Sequence, residues 1–307
     1  MGLTAKDRAA VRLSKAYLNI GEMFLYIPFA RVHKGIAKIR GLRYGEGKRA
    51  ALDVFRPAGT SDKLPLFVYI HGGGFVSGLR PNRRFYCYNW VEAGYVAANI
   101  GYDYALDAEH PEHIREIFKG IEFVLERAEE FGIDTRKIVV AGDSAGGYYA
   151  AMLACICLNK GLQDKMGVST DLRFGGAVLN CGIYDVATAL KNKYPFDLGG
   201  KLLKDFAGIR KDEVENYEWK DLCSVLGFVN EDFPVSFITH AQKDIFCGGQ
   251  ADALMKILNE KGVHNEEFHS TGLLDNHCFS LNWKSKAARK NNDLVADFMK
   301  RFAEGKI

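Results

Sequence analysis

Apolar residues recur along the chain in two rhythms, and the rhythm switches repeatedly. Between Lys6 and Ile27, the residues Leu13, Tyr17, Ile20, Phe24 and Ile27 stand three or four positions apart, the spacing of one helix face, with Arg12, Lys15 and Asn19 on the other side. Two heptads are too short for a free-standing coiled coil, so this stripe is expected to dock on the rest of the protein. A hairpin-like stretch follows, Ile36 to Tyr44 and Ala51 to Phe55, across a turn at Gly45 to Lys48. Leu66–Ile70 and Val96–Ile100 are short continuous apolar runs, the pattern of strands buried on both faces. A helix over about 109–131 would carry Ile114, Ile117, Phe118, Ile121, Val124 and Ala128 on one stripe. Further strands are expected at 138–141, 177–179, 235–239 and 266–269, with helices from Ala145, over 251–260 and over 285–301.

Strand, helix and strand in steady succession predict an α/β fold with a mostly parallel sheet covered on both faces. One interval breaks the rhythm. From Tyr184 to Phe233 there are helical fragments, including Leu198 to Phe206, but no clear core strand. A connection that long inside a compact domain is normally a functional insertion. With the N-terminal helix it is expected to form a helical cap, which divides the chain into a cap segment (1–35), a first core part (36–183), a cap insertion (184–233) and a second core part (234–307).

Composition narrows the class. With 307 residues, 48% hydrophobic and 26% charged, the chain is an ordinary globular protein, near the size where one core stops growing. Its net charge, 41 − 38 = +3, is too small and too dispersed for nucleic acid to be the main partner. The 32 glycines against 7 prolines suit tight strand-to-helix turns. Seven cysteines form an odd set without a CxxC pair, which points to reduced thiols in the cytoplasm rather than a disulfide framework or zinc knuckle. The run Met23–Ala30 is broken by Pro28 and is neither a secretory segment nor a membrane span, so no stable membrane insertion is expected.

The strongest chemical signal is Gly142-Asp143-Ser144-Ala145-Gly146-Gly147 between an expected strand and helix. A serine on a sharp strand-to-helix turn sits in a strained conformation that projects its hydroxyl, and the helix behind it aims amides at whatever that hydroxyl attacks. Gly142 and Gly146 would remove Cβ atoms that collide across the turn. A second signal, His71-Gly72-Gly73-Gly74-Phe75, directly follows the strand Phe67–Ile70. A tetrahedral oxyanion needs preorganised donors, and backbone amides serve only where the chain approaches closely, as glycine permits. Gly73, Gly74 and Ala145 are therefore the expected oxyanion donors, with His71 as a brace for its loop. A serine also needs a base and an orienting carboxylate, in the order serine, acid, histidine. Asp244 follows the strand 235–239, and His277 follows one more helix and strand. Asp275 or Glu267 and His269 or His264 are the competitors for acid and base.

HGGGF, GDSAGG, an aspartate after the next-to-last strand and a histidine in an H-x-F context together resemble the hormone-sensitive-lipase-like branch of the α/β-hydrolases, which are carboxylesterases. The resemblance covers roughly residues 36–302. It implies an α/β-hydrolase fold, Ser144, Asp244 and His277 as catalytic residues, Asp143 with His71 and Gly72 as support for the two motifs, and no metal or organic cofactor. Two departures stand out: Ala105-Leu106-Asp107-Ala108 replaces the usual R-L-A-P, and Cys278 stands where the family usually has glycine. The implied activity is hydrolysis of small-molecule esters of short to medium acyl chains, by a protein that forms a homo-oligomer or acts alone. A hydrolase of amides, formamides or acetylated sugars is the alternative, and a non-catalytic ligand-binding module a remoter one. Arg80, Arg83 and Arg84 read as a solvated loop at the mouth of the site. Phe75, Phe85, Tyr86, Tyr88 and Trp90 read as pocket lining or core. His110 and His113, three apart at a helix start, make only a weak metal pattern.

Overall fold

In the computed structural model, residues 3–25, 33–186 and 204–307 are described. Eight strands form one sheet: β1 (Ile36–Arg43), β2 (Ala51–Pro57), β3 (Leu64–Ile70), β4 (Val96–Ile100), β5 (Ile133–Asp143), β6 (Gly176–Asn180), β7 (Val235–Ala241) and β8 (Asn265–Ser270), in the spatial order β1-β2-β4-β3-β5-β6-β7-β8. β1 pairs antiparallel with β2 and β2 antiparallel with β4; all other neighbours are parallel. The fold is the expected α/β class, and the apolar runs Leu66–Ile70 and Val96–Ile100 lie in β3 and β4.

The helices are α1 (Ala5–Leu25), α2 (Arg84–Glu92), α3 (Glu112–Leu125), α4 (Ala128–Phe131), α5 (Ala145–Leu158), α6 (Lys160–Met166), α7 (Gln250–Glu260) and α8 (Lys286–Ala303). Alternate strand residues feed two cores, as a period of two requires. Leu66, Val68 and Ile70 of β3 join the layer of α3 and α5, whereas Phe67 and Tyr69 face Tyr86 and Trp90 of α2 and the layer that includes Phe298 and Met299 of α8. Every residue of α5 from Ala145 to Cys157 is buried, which is why its sequence is apolar all round. The helix expected over 109–131 is split in two, and the second piece ends at Gly132, whose left-handed backbone (φ +64°) closes it. Arg84–Glu92 was not expected as a helix; Tyr86, Tyr88 and Trp90 pack as core there, and Phe85 is partly exposed.

The N-terminal helix corrects an expectation. Leu13, Tyr17 and Ile20 are exposed, Leu13 and Tyr17 by about three quarters of their surface (74% and 76%). The helix docks instead through Val11 and Leu18, which with Leu3 pack against Val76, Ala105 and Leu106. The docking ground is small, so the narrow Val11/Leu18 line seven residues apart fills it, and the richer stripe is left facing outward. The side chain of Phe24 and all of Ile27 lie outside the described residues, as does most of the segment 198–206; only its end, from 204, is described and helical. Within the interval 184–233 the described residues show one isolated bridge, Asp185 to Ser224, and short 3₁₀ turns.

The sheet register aligns Ile70 with both Ile100 and Gly142, Asp143 with Asn180, and Asn180 with Thr239. The segments following β3, β5, β6 and β7 therefore leave the sheet at one edge, its carboxyl end, where ligands of open parallel sheets bind. For α1, Val11→Ala should weaken docking by about 1–2 kcal/mol, visible as roughly tenfold faster amide exchange along the helix. Leu13→Ala should change it by less than about 0.5 kcal/mol; equal effects of the two would reverse the assignment of the docked face.

Candidate functional site

Ser144 occupies the single residue between β5 and α5, with φ +53° and ψ −121°, a region that side chains rarely enter. Its amide donates to the Asn180 carbonyl at 2.8 Å, which ties the turn to β6. Glycine is required around it. A Cβ on Gly146 would come within 2.1 Å of the Ile70 carbonyl oxygen, and one on Gly142 within 2.2 Å of the Gly146 carbonyl oxygen. On the facing loop, a Cβ on Gly72 would meet the Asp143 carbonyl oxygen at 2.4 Å. The loop after β3 and the first turn of α5 thus pack backbone against backbone.

His277 and Asp244 reach Ser144 from the far end of the sheet. The His277 Nε2 lies 2.8 Å from the Ser144 Oγ, and its Nδ1 lies 3.0 and 2.9 Å from the two Asp244 carboxylate oxygens. The Asp244 Oδ1 also accepts the amides of Phe246 and Cys247, each at 2.9 Å. Burial pushes the Asp244 carboxyl up, but the neighbouring His277 and these hydrogen bonds outweigh it and hold it below its ordinary value. The carboxylate facing Nδ1 favours the tautomer with its proton there, which leaves Nε2 free to accept from the serine. The competitors lie elsewhere: Asp275 accepts from Ser270 and Ser285, Glu267 pairs with His240, His269 stacks on His240, and His264 pairs with Glu266.

Gly73 (φ +134°) and Gly74 (φ +59°) follow the loop's first glycine. The Gly73 carbonyl accepts the Val76 and Ser77 amides and the Ser77 hydroxyl, folding the loop back on itself. Among the described residues, the amides of Gly73, Gly74 and Ala145 meet no acceptor, unlike that of Gly72, which donates to Asp143 at 3.1 Å. His71 is buried, with its ring stacked on Tyr102 and its Nδ1 2.8 Å from the Gly72 carbonyl; the Tyr102 hydroxyl donates to the His71 carbonyl at 2.6 Å.

The floor of the site overturns another expectation. Arg83 is 98% shielded from solvent rather than solvated; its Nε and Nη2 donate to the two oxygens of the buried Asp143 at 3.0 and 2.8 Å. The Tyr69 hydroxyl donates to Asp143 at 2.7 Å. Burial raises the Asp143 carboxyl, and the Arg83 charge, with the hydrogen bonds, outweighs it and holds the group below its ordinary value. Arg80 and Arg84 are likewise turned inward, onto the fully buried Asp53. A buried carboxylate is costly without a partner, and that cost drew the arginines out of water. Local sequence carried no sign of this; only Tyr69, a hydroxyl inside an apolar strand, signalled that a buried partner was needed.

Phe75 joins an aromatic cluster with Tyr148, Tyr149 and Phe206, the last at 4.8 Å between ring centroids. His110 and His113 belong to the same packing, and burial depresses them to about 3 and about 4, so both stay neutral. A Cβ on Gly74 would touch Leu18 of α1 at 3.4 Å, and Lys204 pairs with Asp7 at 2.7 Å. The ligand atoms of Cys181, His277 and Cys278, and those of Asp244, Cys247 and His277, form two sets compact enough to hold a metal ion.

This sheet order, with a serine on a strand-to-helix turn facing a histidine–aspartate pair, defines an α/β-hydrolase. The chain belongs to the BD-FAE family, whose profile matches residues 52–257. It is 26% identical to the esterase LipQ of Mycobacterium tuberculosis over 273 residues, 87% of this chain but 62% of that protein, so the chain spans less than two thirds of that relative. It is 28% identical to the kynurenine formamidase of Salmo salar over 164 residues, 51% of this chain and 52% of that one. Among solved structures, esterase B of Lactobacillus rhamnosis superposes with a TM-score of 0.86 at 22% identity, covering 99% of this chain and 98% of that one. These matches bear out the likeness read from the HGGGF and GDSAGG segments. Among the described residues, no helix is long and apolar enough to cross a membrane.

Arg83→Ala would leave Asp143 charged, buried and unpaired, and should destabilise the protein by about 3–5 kcal/mol in chemical denaturation. Because the Asp143 carboxyl is depressed on folding, its contribution is complete above the unfolded value near 4 and is lost as the pH falls through the folded one. The loss caused by Arg83→Ala should therefore be largest at neutral pH and shrink in acid.

Proposed function

We propose that this chain is a serine carboxylesterase acting on small-molecule esters. The observation that carries the reading is the hydrogen-bonded line from Ser144 through His277 to Asp244, at 2.8 and 2.9–3.0 Å, together with the amides of Gly73, Gly74 and Ala145, which meet no acceptor among the described residues. Ser144 attacks the ester carbonyl while His277 Nε2 takes its proton. Asp244 holds the imidazole in the competent tautomer and stabilises the imidazolium that forms. The developing oxyanion is received by the amides of Gly73, Gly74 and Ala145, with the N-terminal end of α5 contributing its partial positive charge. His277 then returns the proton to the leaving alcohol, and water releases the acyl group by the same route. His71, Gly72 and Asp143 serve this machinery by fixing the loop and turn rather than by touching substrate.

The N-terminal helix and the 184–233 insertion act as a cap in this reading. The Lys204–Asp7 pair, the Leu18–Gly74 approach and the edge-to-face contact of Phe206 with Phe75 support it. The aromatic cluster beside the glycine loop favours short to medium acyl chains, and Ile245 and Phe246 after Asp244 and Leu273 and Leu274 before His277 expose apolar surface suited to such substrates. Seven cysteines without a disulfide fit a reducing cytoplasmic location. A second reading, hydrolysis of formamides or other amides by the same residues, draws support from the kynurenine formamidase likeness over half of the chain.

A series of p-nitrophenyl esters of increasing acyl length, run beside aryl formamides, separates the two. Esters should be turned over with a preference for short to medium chains, and Ser144→Ala should lower turnover to near background without unfolding the protein. Asp244→Asn should cost about 10⁴ in kcat. A Ser144→Ala protein as active as the wild type would remove the nucleophile.

A further inference from the structure

Three of the seven cysteines crowd the His277–Asp244 pair, and the mechanism uses none of their thiols. Cys181 directly follows β6, next to the Asn180 carbonyl that holds Ser144, and its amide donates to Thr239 at 2.7 Å. Cys278 directly follows His277. The Sγ atoms of Cys181 and Cys278 and a ring nitrogen of His277 all lie within 4.8 Å of one another. Both cysteines have left-handed backbones, φ +48° and +52°, where a residue other than glycine costs about 1–3 kcal/mol. Two strained positions on separate segments thus carry thiols turned toward one imidazole. Both thiols are almost wholly buried, while His277 keeps a small exposed edge.

We propose that Cys181, Cys278 and His277 form a binding site for a thiophilic divalent metal ion such as Zn²⁺ or Cd²⁺, and that the protein cannot hydrolyse esters while the site is filled. Two thiolates and an imidazole are a borderline-soft donor set suited to such ions. Zinc–sulfur bonds of about 2.3 Å and zinc–nitrogen bonds of about 2.0 Å bring tetrahedral ligands to roughly 3.5–3.8 Å of one another, within reach of small side-chain rotations here. The alternative set of Asp244, Cys247 and His277 is the poorer one: it offers a single thiol and a carboxylate already engaged by the imidazole and two amides. A coordinated thiol gives up its proton outright, so each thiol that binds the metal releases its proton to solvent. No oxidant or reductant takes part.

Inhibition follows whichever imidazole nitrogen binds. Metal on Nε2 occupies the lone pair that should accept the Ser144 proton. Metal on Nδ1 displaces the Asp244 hydrogen bond and forces the ring proton onto Nε2, with the same result. Metal binding itself is independent of the esterase reading; its inhibitory effect rests on that reading, because it needs His277 to be the base.

The test uses the full chain, reduced and metal-free, titrated with Cd²⁺ while both the ultraviolet thiolate-to-cadmium band and p-nitrophenyl butyrate turnover are followed. One equivalent should produce the band and suppress turnover at least tenfold, and a chelator should reverse both. Cys278→Gly, which suits the left-handed backbone, should keep its basal activity, lose the band and need at least about tenfold more Cd²⁺, since even outer-shell losses weaken metal sites 10–100-fold. Cys181→Ala should also lose the band, and Cys247→Ala should retain it. A wild type without the band, or a band that survives both Cys181→Ala and Cys278→Gly, overturns the site. A band with turnover untouched upholds the site and removes His277 as the base.

Discussion

Two backbones meet at the carboxyl edge of the sheet at points where neither can carry a side chain. Gly146 lies against the Ile70 carbonyl and Gly72 against the Asp143 carbonyl, each closer than any Cβ would allow. That contact brings the loop after β3 up to the first turn of α5, so two distant segments of backbone meet at the serine turn. It also explains why the strained backbone of Ser144 persists. An eleven-residue strand enters the turn, a fully buried helix leaves it, and the packed loop closes the third side.

Beneath this contact lies a buried ionic floor that is as much a constraint as the glycines. Asp143 precedes the serine and is ionised in the interior, a state tolerable only because Arg83, Tyr69 and the Gly72 amide saturate its oxygens. The short segment 80–84 serves two such carboxylates, sending Arg83 to Asp143 and Arg80 and Arg84 to Asp53. Through Asp53 on β2, the antiparallel end of the sheet is coupled to the turn that holds the serine. The histidine side is braced by polar contacts of another kind: Asn180 bonds Ser280, the Ser280 carbonyl accepts from Asn292, and Asn291 accepts from Thr239. These keep the strand ends and the His277 loop in fixed relation without placing charge next to the imidazole.

The N-terminal helix is joined to the rest of the protein more lightly. α1 rests on a handful of apolar residues and an ion pair with Lys204, and it turns Leu13, Tyr17 and Ile20 outward. Periodicity identified this helix but chose the wrong face. An apolar stripe shows that a helix is amphipathic, whereas the face it buries depends on the shape of the surface offered to it, here a small patch formed by Val76, Ala105 and Leu106.

What the linear order of residues determined was therefore local. Continuous apolar runs specified the buried strands, because a strand covered on both faces needs no polar side. The glycine–serine turn and the triple-glycine loop were legible because their backbones admit few other residues. Asp244 and His277 were the expected acid and base from their positions after strands, with Asp275, Glu267, His269 and His264 as the competitors. Tertiary structure set the Asp244 carboxylate against the His277 imidazole, since which carboxylate meets which imidazole depends on strand register across the sheet. It alone also paired Arg83 with Asp143, gathered Cys181 and Cys278 around His277 and chose the docked face of α1. Each of these joins residues dozens of positions apart or more, or answers to the shape of a remote surface, and neither composition nor spacing along the chain encodes such a meeting.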